Sequence, residues 1–113
     1  MPGRVVILGI FVADTAFRAA RAPRLGETLI GSSFAQSPGG KGSNQAVAAA
    51  RLGGEVTLIA KLGQDAFADL ARETWAAAGV EARVVQSADS PTGAAFILVE
   101  EGSGENANVL FPG

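Results

Sequence analysis

The feature that most constrains the fold is a glycine-rich turn that leads directly into a run of good helix formers. Residues 37–46 read Ser-Pro-Gly-Gly-Lys-Gly-Ser-Asn-Gln-Ala, and helix-forming residues continue to Leu52. Glycine adopts positive φ readily and allows the backbone to approach a ligand closely. The first amides of a helix have no partner within it, so they point at whatever lies in front. The pattern predicts a helix over about 43–52 whose N-terminus holds a polar small molecule.

Short apolar runs alternate with helical patterns along the rest of the chain. The predicted elements are strands over 4–10, 55–61 and 80–86 and a second helix over 66–78. In that helix Asp65 is the expected N-cap, Gly79 the terminator and Trp75 a core residue on the apolar face. Strands that alternate with helices favour right-handed crossovers and a parallel sheet covered by helices. The predicted fold class is therefore α/β.

Two segments do not fit this parallel sheet. The first is a hairpin-like excursion with extended pieces over about 14–20 and 27–35, and the second is a terminal β-hairpin over 94–99 and 107–111. Together they are expected to form a small second sheet over the carboxyl edge of the first. That edge is where open α/β folds bind their ligands.

Composition excludes several classes of function. The net charge is −2, from 9 basic and 11 acidic residues without a block of one sign, which argues against a nucleic-acid or membrane-surface partner. No apolar run approaches the roughly 18 residues of a membrane span, and no secretion leader is evident, so a cytoplasmic protein is expected. The absence of Cys and His excludes disulfides, the usual zinc sites and histidine-dependent triads.

The glycine turn does not match the common phosphate-binding loops. In a Walker A loop, Gly-Lys is followed by Ser or Thr, but Lys41 is followed by Gly42, and residue 35 is alanine where a glycine is required. In a dinucleotide-binding turn that started at Gly40, the third glycine would fall on Gln45. Both kinds of nucleotide loop are excluded at this turn.

The turn instead resembles a different signature. Gly-Gly-Lys-Gly-Ser-Asn-Gln-Ala at 39–46, with Gly53 and Gly63 after it, is similar at every fixed position to the N-terminal signature of the ribokinase (PfkB) family of carbohydrate kinases. Further landmarks of the ribokinase branch follow in order: the strand 5–9 with Asp14, Gly-Glu-Thr at 26–28, the segment 61–65, and Thr-Gly at 92–93. The resemblance covers essentially the whole chain and is closer to ribokinases than to fructokinases.

The resemblance implies a fold, an activity and a site. Members of the family have a three-layer α/β fold with a Rossmann-like parallel sheet and a small β-lid, and they transfer the γ-phosphoryl group of ATP to a sugar hydroxyl with Mg²⁺ and often a monovalent cation. Asp14, Gly40, Lys41 and Asn44 are the implied sugar-binding residues. The implied lid segments are about 12–37 and 92–111, through which many members form a homodimer.

Two departures limit what the resemblance implies. Ribokinases usually carry an asparagine where this chain has Val12, so ribose is not implied as the substrate. The family's catalytic base, nucleotide pocket and magnesium-organising segment lie farther downstream. Residues 1–113 are therefore expected to be the N-terminal portion of a single sugar-kinase domain, without catalytic, cofactor or metal residues and inactive alone.

Several alternatives remain open from the residues alone. Asp14 is also compatible with a solvated turn position, Lys41 with simple solvation, and Asn44 with a helix cap. Alternation does not decide whether Ala94 with Phe96, or Ile97 instead, faces the sugar. The alternative functions are a truncated, non-catalytic module that binds a sugar or nucleoside or dimerises, and a nucleoside kinase of the same family.

Overall fold

The computed structural model describes residues 4–113, which form seven strands and two helices. In chain order these are β1 (Arg4–Leu8), β2 (Val12–Ala19), β3 (Ser33–Gly39), α1 (Lys41–Arg51), β4 (Glu55–Leu62), α2 (Ala66–Ala78), β5 (Glu81–Gln86), β6 (Gly93–Glu100) and β7 (Asn106–Phe111). Neither helix of this part of the chain is long and apolar enough to cross a bilayer.

The first sheet is parallel, as predicted, with the strand order β1-β4-β5. Alternate residues of β4, among them Leu58 and Leu62, point at the two helices and are almost fully buried against Ala46 of α1 and Trp75 of α2. The opposite face carries exposed apolar side chains such as Leu8. Because parallel sheets are normally covered on both faces, this face is typical of a sheet that packs against further structure.

The excursion and the terminal hairpin form one separate sheet, as predicted, with the order β3-β2-β6-β7. β2 pairs in antiparallel fashion with β3 but runs parallel to β6, a pairing that the sequence did not indicate. Phe17, Phe34 and Phe96 share one face, and the ring centroid of Phe17 lies 5.1 Å from that of Phe34 and 5.7 Å from that of Phe96. The other face carries Asp14 and Ile97.

The predicted bounds of β3 were wrong. The strand covers Ser33–Gly39 and not 27–35, because its pairing with β2 begins only at Ser33, opposite Arg18. Residues 21–27 form a loop closed by the Arg21 guanidinium on the Glu27 carboxylate, at 2.6 and 2.8 Å. Helix α1 begins at Lys41, two residues earlier than predicted, since Gly40 serves as its N-cap. The strands β1 and β5 differ from the prediction by one or two residues at an end.

The prediction for α2 is confirmed at both ends. An Asp65 side-chain oxygen accepts a hydrogen bond from the Ala68 amide at 2.9 Å, and Gly79 ends the helix with φ 81°. Trp75 is 1% exposed, as expected for a core residue on the apolar face.

Candidate functional site

The candidate site lies where the two sheets meet. The chain leaves the carboxyl end of β1 for the second sheet through residues 9–11, and it returns from β3 to α1 at Gly40. A cleft of about 660 Å³ opens between these two crossings. Asp14 from β2 lines it together with Gly40, Lys41 and Asn44 from the start of α1. All four residues predicted to form the site are thus brought to one cavity.

The two crossings touch through glycine. A Cβ placed on Gly42 would lie 2.7 Å from the Cα of Gly9, and one placed on Gly9 would lie 2.8 Å from the Cα of Gly42. Real Cβ atoms do not approach this closely, so the first turn of α1 rests directly on the connection between β1 and β2. This contact fixes one side of the cleft without any side chain.

Gly40 is held in a conformation that suits glycine. Its φ is 94°, and a Cβ there would meet the carbonyl oxygen of Ile10 and lie 3.1 Å from the Cα of Phe11. As the N-cap it has no side chain to bond the first amides of α1, which leaves them directed toward the cleft. Asn44 is not the cap, because it lies within the helix and its own amide bonds the Gly40 carbonyl at 2.9 Å. Lys41 is exposed at the cleft margin.

Asp14 is a strand residue and not a solvated turn residue. It pairs with Ser37 of β3 on one side and Ala95 of β6 on the other, and it is half-buried. Its carboxylate lies over Gly39, where a Cβ would come within 2.7 Å of the Asp14 Cγ. Burial raises the pKa of Asp14, and within residues 4–113 no hydrogen bond to the carboxylate offsets that rise. The group is therefore available to accept hydrogen bonds from a ligand.

Comparison with known proteins identifies the family. The family model described as pfkB family carbohydrate kinase matches residues 3–113. The chain belongs to the pfkB family. A ribokinase from Bacillus subtilis is 36% identical over 110 residues, which cover 96% of this chain and 37% of the relative. The chain thus spans about a third of the length of the curated relatives it matches.

Solved structures place the chain in the ribokinase fold. Ribokinase from Giardia lamblia superposes with a TM-score of 0.88 at 35% identity, over 96% of this chain and 36% of that one. Ribokinase from Arabidopsis thaliana, solved with ribose and ATP, gives a TM-score of 0.86 at 30% identity, over 98% of this chain and 36% of that one. The predicted α/β class and the resemblance to ribokinases are both confirmed.

The candidate site rests on a tryptophan that sequence reasoning assigned only to the core. The Trp75 Nε1–H donates to Ser43 Oγ at 2.9 Å, and both side chains are 1% exposed. The Trp75 ring also packs edge-on against Phe11, with centroids 5.8 Å apart and an interplanar angle of 85°. One side chain of α2 therefore holds both the first turn of α1 and the β1–β2 connection. The only sequence signal was a serine on the apolar face of α1.

The pairing register decides which residues of β6 share a face with Asp14. Ala95 pairs with Asp14 and Ile97 with Ala16, so the side chain of Ile97 lies on the Asp14 face. Ala94 and Phe96 lie on the opposite face. Leu110 of β7 reaches the cleft from the same sheet. The apolar lining of the cleft thus comes from Val12 and Leu110 of the second sheet and from Leu8 and Ile10 at the end of β1.

In the part of the chain that the structure describes, no group of three or more Asp, Glu, His or Cys side chains is placed to hold a metal ion. The four cleft residues include a single carboxylate, that of Asp14. They fit a polyhydroxylated ligand better than a divalent cation, which prefers several oxygen ligands.

Proposed function

We propose that this chain is the sugar-binding part of an ATP-dependent carbohydrate kinase, and that Asp14, Gly40, Lys41 and Asn44 hold the sugar. The observation that carries the proposal is the convergence of these four residues on one cleft. A carboxylate accepts hydrogen bonds from hydroxyl groups, an amide side chain donates and accepts, and an ammonium group donates three times. Together with the free amides at the start of α1, this set is suited to a polyol.

The second sheet is proposed to be the lid, formed by segments 12–37 and 92–111. Its support is that these segments form a sheet apart from the parallel one, with Asp14 and Leu110 lining the cleft and Ile97 on the same face as Asp14. A lid that closes over the sugar excludes water, which would otherwise compete with the sugar hydroxyl for the phosphoryl group.

Val12 bears on the choice of sugar. Its side chain lines the cleft next to Asp14 and is 3% exposed. A hydroxyl directed at this position loses its hydrogen bonds to water and gains none from valine, which costs affinity. We therefore propose a small sugar that presents C–H rather than O–H to Val12. Val12→Asn should shift preference toward a sugar with a hydroxyl there, as measured by kcat/KM on a matched pair of sugars.

The phosphoryl donor is proposed to be ATP with Mg²⁺, and a monovalent cation is proposed as an activator. The donor set for these groups is proposed to lie outside residues 4–113, since this part carries neither a phosphate loop nor a metal cluster. When bound, Mg²⁺ neutralises phosphate charge. The residues described here orient the sugar hydroxyl, and positioning of this kind supplies much of the catalysis in phosphoryl transfer. Residues 1–113 alone are proposed to be inactive.

We propose that two copies of the protein form a homodimer through the lid, by contact between the outer faces of their second sheets. Phe17, Phe34 and Phe96 are 37%, 59% and 44% exposed there, with their rings in contact. Adjacent exposed aromatic rings are typical of protein interfaces. Light scattering should show a dimer that Phe34→Ser dissociates, whereas a matched change of the isolated exposed Leu52 to Ser should not.

A coupled assay of ADP release tests the kinase itself, with the longest protein that contains this chain and a panel of pentoses, hexoses and nucleosides. We expect turnover with a small sugar, and a drop in kcat/KM well over tenfold for Asp14→Ala. Asp89→Ala, at an exposed turn, is the control. Turnover with nucleosides alone would favour the nucleoside kinase, and sugar binding without turnover would favour the non-catalytic module. Turnover by residues 1–113 would contradict their proposed inactivity.

A further inference from the structure

Thr92 joins the second sheet to the parallel layer. It directly precedes β6 and is 2% exposed. Its Oγ1 accepts a hydrogen bond from the Gly63 amide at 2.9 Å, and its own amide donates to Asp65 Oδ2 at 2.9 Å. Within residues 4–113 these are the side-chain hydrogen bonds that connect the parallel layer with the start of β6. We call Gly63, Asp65 and Thr92 the latch.

Asp65 has two separate partners in this arrangement. Oδ1 caps α2 through the Ala68 amide, and Oδ2 binds Thr92, which is 27 residues away in the chain. A helix cap needs only one of these oxygens. Burial alone would raise the pKa of Asp65, but the hydrogen bonds from Thr92 and Ala68 outweigh it and lower the pKa below its ordinary value. The carboxylate is therefore ionised at neutral pH, and both of its bonds are charge-assisted.

The latch leads directly to the sugar-binding strand. Gly93, the residue after Thr92, pairs with Val12, and Ala95 pairs with Asp14 in the parallel ladder between β6 and β2. The backbone at Gly93 is closely packed, because a Cβ on Gly93 would lie 2.6 Å from the Phe11 carbonyl oxygen. A shift of Thr92 would therefore be transmitted along β6 to β2.

The latch is also packed tightly from the side of the parallel layer. A Cβ on Gly63 would lie 2.6 Å from the Ser90 carbonyl oxygen and 2.7 Å from the Thr92 amide nitrogen. The loop after β4 thus lies against the segment that enters β6, backbone to backbone. Asp65 itself does not line the cleft. Asp65 can therefore act on a bound sugar by two routes, through Thr92 or through the cap of α2 and Trp75.

We propose that Asp65 is a positioning residue of the sugar site, which fixes the base of the second sheet through Thr92 and so sets the place of Asp14 relative to the first turn of α1. The effect of Asp65 on sugar kinetics rests on the proposed sugar-kinase function. The effect of Asp65 on the position of the second sheet does not rest on it, so the kinetic and the structural effect can be tested separately.

Two substitutions separate the latch from the cap. Serine at 65 caps a helix well but has one short hydroxyl, so Asp65→Ser retains the bond to Ala68 and loses the bond to Thr92. Asp65→Asn keeps the shape but has one acceptor oxygen for two donors. Asp69→Asn is the control, since it removes an exposed carboxylate from the first turn of the same helix.

Hydrogen exchange measured by mass spectrometry tests the structural part. In Asp65→Ser we expect exchange of the amides at 92–96 to accelerate roughly tenfold or more, the range of a lost charge-assisted bond. Exchange over α2 should stay within about twofold, and Asp69→Asn should change neither segment. Unchanged exchange at 92–96, or equal acceleration in α2 and β6, would overturn the proposal.

Steady-state kinetics tests the functional part on the longest protein that contains this chain. Asp65→Ser should raise the KM for sugar about tenfold and leave the KM for ATP unchanged, and Asp65→Asn should recover part of the loss. Equal rises in both KM values would overturn the positioning role. Accelerated exchange at 92–96 in a protein without sugar turnover would refute the proposed function and leave the latch standing.

Discussion

The hydrogen bond between Trp75 and Ser43 gives a prediction whose size follows from the structure. Ser43→Ala removes the acceptor and leaves the Trp75 Nε1–H without a partner where both side chains are 1% exposed. A buried donor left unpaired costs about 1–3 kcal/mol. Alanine gains up to about 0.5 kcal/mol in helix propensity over serine. We therefore expect the free energy of unfolding to fall by about 0.5–2.5 kcal/mol.

The chain is well suited to the measurement. It has one tryptophan and no tyrosine, so intrinsic fluorescence during urea unfolding of residues 1–113 reports on Trp75 alone. Ser33→Ala, at an exposed position of β3, is the matched control and should leave the urea midpoint unchanged. Because Ser43 lies in the turn that carries Lys41 and Asn44, sugar affinity should fall together with stability.

A double-mutant cycle identifies the cause of the loss. Trp75→Phe removes the indole N–H that donates to Ser43. In that background Ser43→Ala should lower the free energy of unfolding by less than about 0.5 kcal/mol. Circular dichroism replaces fluorescence for these variants. An equal cost in both backgrounds would refute the hydrogen bond as the source of the stability, as would a cost below about 0.5 kcal/mol in the native background.

Three further predictions concern other parts of the chain. Gly42→Ala places a Cβ 2.7 Å from the Gly9 Cα and should destabilise the protein by about 1–3 kcal/mol in urea; an unchanged midpoint would contradict the close crossing. Asp14→Asn should raise the melting temperature at pH 7, because burial raises the folded-state pKa of Asp14 and so destabilises the folded protein while the carboxylate is charged. This destabilisation disappears as the pH falls below the ordinary pKa of 3.8. A lower melting temperature of the variant at pH 7 would show that the carboxylate stabilises the fold. Glu27→Gln should speed proteolysis of the 20–32 loop at pH 7, because the hydrogen bond from Arg21 lowers the pKa of Glu27 to about 2. The stabilisation of the loop by this carboxylate is complete above the ordinary pKa of 4.5 and is lost as the pH falls through about 2. Equal cleavage rates of the two proteins would contradict this role of Glu27.

Local patterns in the sequence were sufficient for much of the fold. Apolar periodicity predicted α2 with its cap at Asp65 and its end at Gly79, and the alternation of elements predicted the parallel sheet. The resemblance to the ribokinase signature implied four site residues, which the structure places on one cleft. These features depend on residues close together in the chain, or on a signature whose spacing is fixed.

Features that depend on distant partners were not predictable in the same way. The parallel pairing of β2 with β6 joins segments about 80 residues apart, as in Asp14 with Ala95, and no local pattern encodes it. The predicted start of β3 was wrong because the strand begins where Ser33 pairs with Arg18 of β2, a partner that no local propensity indicates. Asp65 and Trp75 were each assigned one local role, and their second partners lie 27 and 32 residues away.

The contact of Gly9 with Gly42 has a consequence for how such a site diversifies. The two backbones already touch, so no substitution there brings the walls of the cleft closer, and any added side chain forces them apart. A lineage that changes its sugar is then restricted to the side chains that line this cavity, of which Val12 is one and Leu110 is another. A new sugar specificity would then come from substituting side chains on a backbone that stays in place, so each substitution changes the site slightly and preserves the fold.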